Sequence, residues 1–176
     1  MLLYLFALEE HGAELLGADA CSSGVQYFSA RAPLISVNGS YTAEEAAKER
    51  TSAWKRKGLI LSDKDVVNAM DHTDGLSRLS CKENKNGDLV GDIADREQFK
   101  LLKKYIFDYV GHLVDEIASG NVDANPYTRG AGSGACTYCP YSSVCSTENI
   151  PGRRVYKSIN SKEFWEQIER SVNDRG

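Results

Sequence analysis

The stretch Cys136-Thr137-Tyr138-Cys139-Pro140-Tyr141-Ser142-Ser143-Val144-Cys145 places three thiols within ten residues, in the spacing C-x2-C-x5-C. Two thiolates separated by two residues can grip one metal centre from a single turn, and Pro140 stiffens that turn just behind the second of them. The x5 spacing brings a third thiolate back over a loop. Three ligands are one short of a structural zinc site or a [4Fe–4S] cluster, each of which takes four. The fourth stays open: Cys21, Cys81, a histidine, or a residue outside this chain. Cys81 falls inside a predicted strand and Cys21 in a small-residue loop far upstream, so neither is a ready ligand. Spacing does not choose between zinc and iron–sulfur, because thiolates serve both. Three reduced thiols that hold no metal are the plain alternative.

Around this cluster the chain has 176 residues, enough to bury a real core. Hydrophobic residues make up 41% and charged residues 26%, as in a soluble globular chain, and with four prolines and no low-complexity tract a mainly disordered protein is excluded. The 21 Lys and Arg against 25 Asp and Glu leave a net charge of −4. That excludes a surface that is basic throughout, yet leaves room for a local basic groove. Five cysteines, an odd number, fit a disulfide framework poorly. The apolar run Met1–Leu8 has the look of a signal peptide, but it lacks a positive n-region, Glu9-Glu10 cut it short, and no small-residue cleavage site follows. It is also far too short to span a bilayer, which needs about 20 residues. The run reads instead as an amphipathic or buried helix from Met1 to about Leu16, uncapped, as if the chain starts in the middle of a fold. Without an export signal the cysteines are expected in a reducing cytoplasm, where clustered thiols bind metal more often than they pair.

Further along, Val25–Ala30 alternates and predicts a strand, with Pro33 ending it and Leu34–Val37 as a short second one before the Asn38-Gly39 turn. Thr42-x-x-Glu45 is a capping box opening a helix to about Lys57, with Gly58 as its stop. Leu59–Leu61 reads as a brief apolar link, and Ser62-x-x-Asp65 opens a short helix ending near Met70. Asn86-Gly87 predicts a hairpin between Arg78–Glu83 and Asp88–Ile93. Asp95-x-x-Gln98 starts the strongest helix, with Phe99, Leu102, Ile106, Val110, Leu113 and Ile117 on one face and Ser119-Gly120 at its end. A Gly-rich stretch, Asn125–Ala135, leads into the cysteines. A basic connection with Arg153, Arg154 and Lys157 follows, and a last helix, Lys162–Val172, carries Phe164, Trp165 and Ile168. The expected fold class is α/β, an α+β arrangement with a helix majority, a short hairpin and a cysteine-rich loop.

The motif Cys136-x2-Cys139-Pro140-Tyr141-x3-Cys145 resembles the C-terminal end of the AddB-like family, the B subunits of the bacterial ATP-dependent helicase–nuclease AddAB (RexAB). So do Lys57-Gly58-Leu59-Ile60-Leu61-Ser62-Asp63 with Val66 and Ala69-Met70-Asp71, the long helix running to Ile117-Ala118-Ser119-Gly120, Asn125-Pro126-Tyr127, and the tail segments Gly152–Tyr156 and Glu163-Phe164-Trp165-Glu166. The resemblance covers essentially the whole chain. It implies the back half of a PD-(D/E)XK-type nuclease domain over residues 1–120, a cluster-binding loop over 121–150 and a tail helix over 151–176. It implies that Cys136, Cys139 and Cys145 join one far-upstream cysteine, outside this chain, on a [4Fe–4S] cluster that closes the fold like a staple across a very long loop. It also implies an AddA-like helicase/nuclease partner that hydrolyses ATP, DNA as substrate, and Mg2+ in the intact nuclease. The family's catalytic Asp and Asp-x-Lys strand would precede Met1, so no catalytic residue is expected here.

Glu83-Asn84-Lys85 spells E-x-K, but it falls in the predicted hairpin turn, and a metal-dependent nuclease needs its carboxylates and lysine on a rigid strand facing a second acidic group. Both read as solvated turn residues. His11, His72 and His112 share no ligand spacing, and Lys55-Arg56-Lys57 reads first as a solvated helix end, favoured by the helix dipole. Tyr138 and Tyr141 are expected to pack around the cluster. No phosphate-binding Gly-rich loop is present. The competing reading is a stand-alone zinc-binding module with Cys21 or Cys81 as fourth ligand.

Overall fold

Leu59-Ile60-Leu61, an apolar link by sequence, is the heart of a strand. In the computed structural model, which describes residues 1–31, 34–35, 39–123, 125–129, 134–145 and 154–174, strand β2 (Lys57–Leu61) lies between β1 (Gly24–Tyr27) and β5 (Ile93–Ala94). It pairs antiparallel with β1 and parallel with β5. Its apolar run is continuous because its far end is buried: Ile60 and Leu61 are 1% and 3% exposed. Gly58 therefore does not stop a helix. It sits opposite Gln26 with φ +145°, and a Cβ there would meet the Val25 carbonyl oxygen at 2.0 Å. Helix α3 (Ala43–Ala53), opened by the Thr42/Glu45 capping box, accordingly ends short of the expected Lys57, with Trp54 as its C-cap.

Around β2 the core gathers Ile60, Val67, Leu76, Leu79 and Cys81, with Met70, Leu89 and Ile93 packed against them. Val67 comes from α4 (Lys64–Met70), whose N-cap is Asp63 rather than Ser62. The Asp63 carboxylate accepts from the N–H groups of Asp65 and Val66. The hairpin forms between β3 (Cys81–Glu83) and β4 (Leu89–Gly91), but it is shorter than expected, because Ile93-Ala94 leaves it to pair with β2. Its turn is tied by Asn84, whose Oδ1 accepts from the N–H groups of Asn86 and Asp88.

The expected first helix is two: α1 (Leu2–Glu10) and α2 (Gly12–Leu16), broken at His11. Phe6 is buried and meets Phe99 edge-on, with ring centroids 6.5 Å apart. Phe99 belongs to α5 (Arg96–Ala118), whose start is closed by reciprocal hydrogen bonds between Asp95 and Gln98. Lys103 on the same helix bridges Glu9 and Glu10, at 2.9 and 2.6 Å. Burial works against the charge on Glu9, but hydrogen bonds from Ser22 and Lys103 outweigh it and hold the carboxyl below its ordinary range. The apolar stripe of α5 is buried only at Phe99 and Leu102; Ile117 is 76% exposed.

The described residues form two compact units, Met1–Ile106 and Phe107–Gly176. Besides the end of α5, the second contains β6 (Tyr127–Thr128), α6 (Ser142–Cys145), β7 (Arg154–Val155) and α7 (Ser161–Asn173). An Asn160/Glu163 capping box opens α7, which buries Ile168 and Val172. Pro33, Ser36, Val37 and Asn38 of the expected second strand and turn, and Gly152 and Arg153 of the basic connection, lie outside the described residues.

Candidate metal centre

The three clustered cysteines sit in a loop whose two ends are tied together. On the near side is β6 and on the far side β7, and they pair in parallel with Tyr127 opposite Arg154 and Thr128 opposite Val155. The Arg154 N–H donates to the Pro126 carbonyl and the Tyr156 N–H to the Thr128 carbonyl, each at 3.2 Å. Side chains reinforce the ladder. The Arg154 guanidinium lies 4.1 Å from the Tyr127 ring centroid and donates through Nε and Nη2 to the Asn125 carbonyl at 3.1 and 2.8 Å. Tyr127 meets Tyr156 edge-on at 5.9 Å.

From β6 the chain returns on itself. Gly134 bridges Thr128, and a Cβ on it would meet the Tyr127 carbonyl oxygen at 2.5 Å, so only glycine allows this approach. Thr137 then closes a local knot, donating its N–H to the Gly134 carbonyl while its Oγ1 accepts from the Gly134 N–H, both at 3.1 Å. Two successive turns follow, from the Cys139 N–H to the Cys136 carbonyl (3.3 Å) and from the Ser142 N–H to the Cys139 carbonyl (3.2 Å). They deliver the chain into α6, where the Cys145 N–H reaches the Tyr141 carbonyl at 2.9 Å.

Cys136 and Cys139 are half-buried, Cys145 is exposed, and all three thiols are free. Three soft thiol donors in consecutive turns suit zinc or iron–sulfur by their chemistry. Among the described residues, however, no three His, Cys, Asp or Glu side chains are gathered to hold a metal ion, and no fourth ligand stands with the loop. Tyr138 and Tyr141, expected as packing, are instead 94% and 71% exposed.

The other candidate ligands are placed differently. Cys81 is 2% exposed within the apolar core, where burial pushes its thiol pKa up and so favours the protonated form over the thiolate that a metal needs. Cys21 is exposed in the first unit, on the connection before β1. His11 and His112 face Glu14 and Glu116 at 3.8 and 3.7 Å on exposed helix surfaces, and His72 is exposed. Of the E-x-K triplet, Glu83 ends β3 and pairs with Lys64 at 3.4 Å, while Lys85 is exposed in the turn.

The clamp of Tyr127, Arg154 and Gly134 is what sequence reading missed. Its signal was faint: an aromatic and an arginine flanking the cysteines, and a glycine two residues before the first of them.

Known proteins are similar to this chain along its length. The PD-(D/E)XK nuclease superfamily matches residues 1–146. The chain is 32% identical over 183 residues to the B subunit of the ATP-dependent helicase/deoxyribonuclease of Thermoanaerobacter sp. (strain X514), covering 100% of this chain and 16% of that protein. It is 36% identical over 170 residues to the protein of the same name in Moorella thermoacetica, covering 93% of this chain and 15% of that protein. The corresponding protein of Oceanobacillus iheyensis is 32% identical over 184 residues, covering 100% of this chain and 16% of that protein. The chain thus spans about a sixth of the length of these relatives, matching their C-terminal part. Its mixed α/β architecture agrees with the superfamily match, and on that match over residues 1–146 the chain belongs to the PD-(D/E)XK nuclease superfamily.

Proposed function

We propose that this chain is part of the B subunit of an ATP-dependent helicase/deoxyribonuclease that processes DNA double-strand ends for recombinational repair, working in the cytoplasm with an AddA-like partner. The observation that carries this reading is the alignment with helicase/deoxyribonuclease B subunits along the whole chain, cysteine loop included. The intact enzyme would hydrolyse phosphodiester bonds with a divalent metal such as Mg2+. We assign the chain's own residues no catalytic step in this reading.

The chain's own task in this reading is structural. Cys136, Cys139 and Cys145 would hold a [4Fe–4S] cluster with a fourth cysteine from outside this chain. Bound there, the cluster supplies cross-linking rather than chemistry: it ties the loop to a distant part of the fold and removes conformational freedom from the unfolded chain. Supporting this are three free thiols carried on consecutive turns, and a loop already closed at its base by β6 and β7. Among the described residues no helix is long and apolar enough to cross a membrane.

The test is anaerobic reconstitution of the full-length protein with iron and sulfide. Iron content, the visible absorption band of a cluster and ATP-dependent degradation of linear duplex DNA are then measured. Cys136→Ala, Cys139→Ala and Cys145→Ala should each abolish the band, whereas Cys21→Ala should leave it. One tightly bound zinc per chain and no iron would overturn the cluster assignment.

A further inference from the structure

In the first unit, an open pocket of about 430 Å3 is walled by Phe28, Arg50, Thr51, Trp54, Arg56 and Arg78. Among the described residues three arginines and no carboxylate line it, in a chain whose net charge is −4. Its size falls in the range of ligand-binding pockets, roughly 300–1,000 Å3. Among the described residues none of the three arginines lies within ion-pair distance of a carboxylate, although the Arg78 charge acts on the Asp71 carboxyl; Arg50 and Arg56 have no such neighbour to hold them. Arg50 lies on the exposed last turn of α3, and Lys55 and Lys57, which flank Arg56 in sequence, are exposed as well.

The aromatic pair has the same standing. Phe28 and Trp54 meet at 5.2 Å between ring centroids, yet remain 61% and 37% exposed. Large rings at a positively charged opening cost free energy in water unless a partner covers them. They are also held in place. The Trp54 N–H is bonded to the Arg50 carbonyl at 3.0 Å, the Arg56 N–H to the Arg78 carbonyl at 2.9 Å, and the Arg56 guanidinium to Gln26 Oε1 at 3.3 Å.

We propose that this pocket binds single-stranded DNA, with a base stacked on the Trp54–Phe28 pair and the flanking phosphates on Arg50, Arg56 and Arg78. Flat apolar faces beside guanidinium groups are the two halves of single-strand recognition: every base offers a π-face, and every linkage a negative charge. A duplex keeps its bases stacked on each other and offers the rings nothing. An acidic peptide would satisfy the arginines but leave the rings uncovered. This site is separate from the cysteine loop and does not rest on the cluster assignment.

The experiment is fluorescence titration of the full chain with a 15-residue oligothymidylate, in EDTA so that neither cleavage nor metal binding enters. Failure of this proposal and failure of the cluster reading are then separate results. In a Trp165→Phe background the remaining Trp54 emission should be quenched to saturation as the base stacks. By anisotropy of a labelled oligonucleotide, Trp54→Ala should weaken binding about tenfold, the loss of one stacked base. Arg50→Ala, on the exposed face of α3 and harmless to the fold, should lower the slope of log K against log salt by about 0.7, one phosphate's share. Circular dichroism shows whether each variant remains folded. Absence of quenching, equal affinity for an abasic strand or a duplex, displacement by polyglutamate at matched charge, or a salt slope that Arg50→Ala leaves unchanged would each overturn the proposal.

Discussion

Arg154 lies over the ring of Tyr127, its guanidinium carbon 4.1 Å from the centroid, and the two residues are register partners in the ladder that closes the cysteine loop. An exposed cation–π contact of this kind contributes about 0.5–1 kcal/mol. Among the described residues the ladder has two residue pairs, so that contribution adds substantially to the few hydrogen bonds that hold the loop shut. Tyr127→Ala should therefore open the loop locally. Hydrogen exchange at the amides of Thr137, Cys139 and Cys145 should speed up severalfold, with little change in the amides of β2. Equal protection of the loop in the variant would show that the pairing alone suffices.

Gly58 carries the heaviest backbone demand in the first unit. Its φ of +145° is rarely adopted by residues with a side chain, and the 2.0 Å approach to the Val25 carbonyl oxygen leaves no room for a methyl group. Gly58→Ala must push β1 and β2 apart. Strain and overpacking together should cost about 2–4 kcal/mol. For a chain of this size each kcal/mol lowers Tm by about 2–4 °C, so calorimetry should show a drop on the order of 10 °C. A change within error would mean that β1 pairs with β2 in another register.

What could be read from sequence follows the range of the interactions. The helix starts at Thr42/Glu45 and Asp95/Gln98 were legible because each closes over three residues, and side-chain type alone specifies it. The spacing of Cys136, Cys139 and Cys145 was legible for the same reason. Strand β2 was not. Lys57–Leu61 shows no alternation, and its partners, Gly24–Tyr27 and Ile93–Ala94, are distant in sequence. The Tyr127–Arg154 clamp and the pocket of Arg50, Trp54 and Arg78 are likewise assembled only by the fold. Tyr138 and Tyr141 misled because aromatic residues near a ligand motif suggest packing, and here they point to solvent.

Asp71 gives the stability a definite pH dependence. It is 4% exposed, and burial alone would raise its pKa. Against that, Oδ1 accepts from the N–H and hydroxyl of Thr73 at 2.9 and 2.6 Å, Oδ2 accepts from the Arg78 N–H at 2.9 Å, and the Arg78 charge adds to them. The net result is a pKa below the ordinary carboxylate value. A folded-state pKa lower than the unfolded one stabilises the protein above the unfolded value of about 3.9, and that contribution is lost as pH falls through the folded value. Asp71→Asn should thus cost about 1–3 kcal/mol at pH 7, and the gap from the native protein should narrow toward pH 3. Urea unfolding at the two pH values measures it; a gap that widens in acid would reverse the assignment.

Glu83 and Lys85 test whether a sequence triplet is a nuclease site. Glu83 ends β3 and pairs with Lys64 at 3.4 Å, with both side chains about half exposed. An ion pair so open to water contributes about 0–1 kcal/mol. Lys85 sits in a turn whose geometry is set by Asn84, Gly87 and Asp88 through backbone and amide contacts, none of which uses the lysine. Among the described residues Glu83 belongs to no group of three or more His, Cys, Asp or Glu side chains that could hold a metal ion. Glu83→Gln and Lys85→Ala, singly and together, should leave DNA degradation by the full-length protein within twofold of the native rate and Tm within a few degrees. A loss of a hundredfold or more with Tm unchanged would make the triplet catalytic, because only a group engaged in the reaction produces so large a rate effect without a loss of stability.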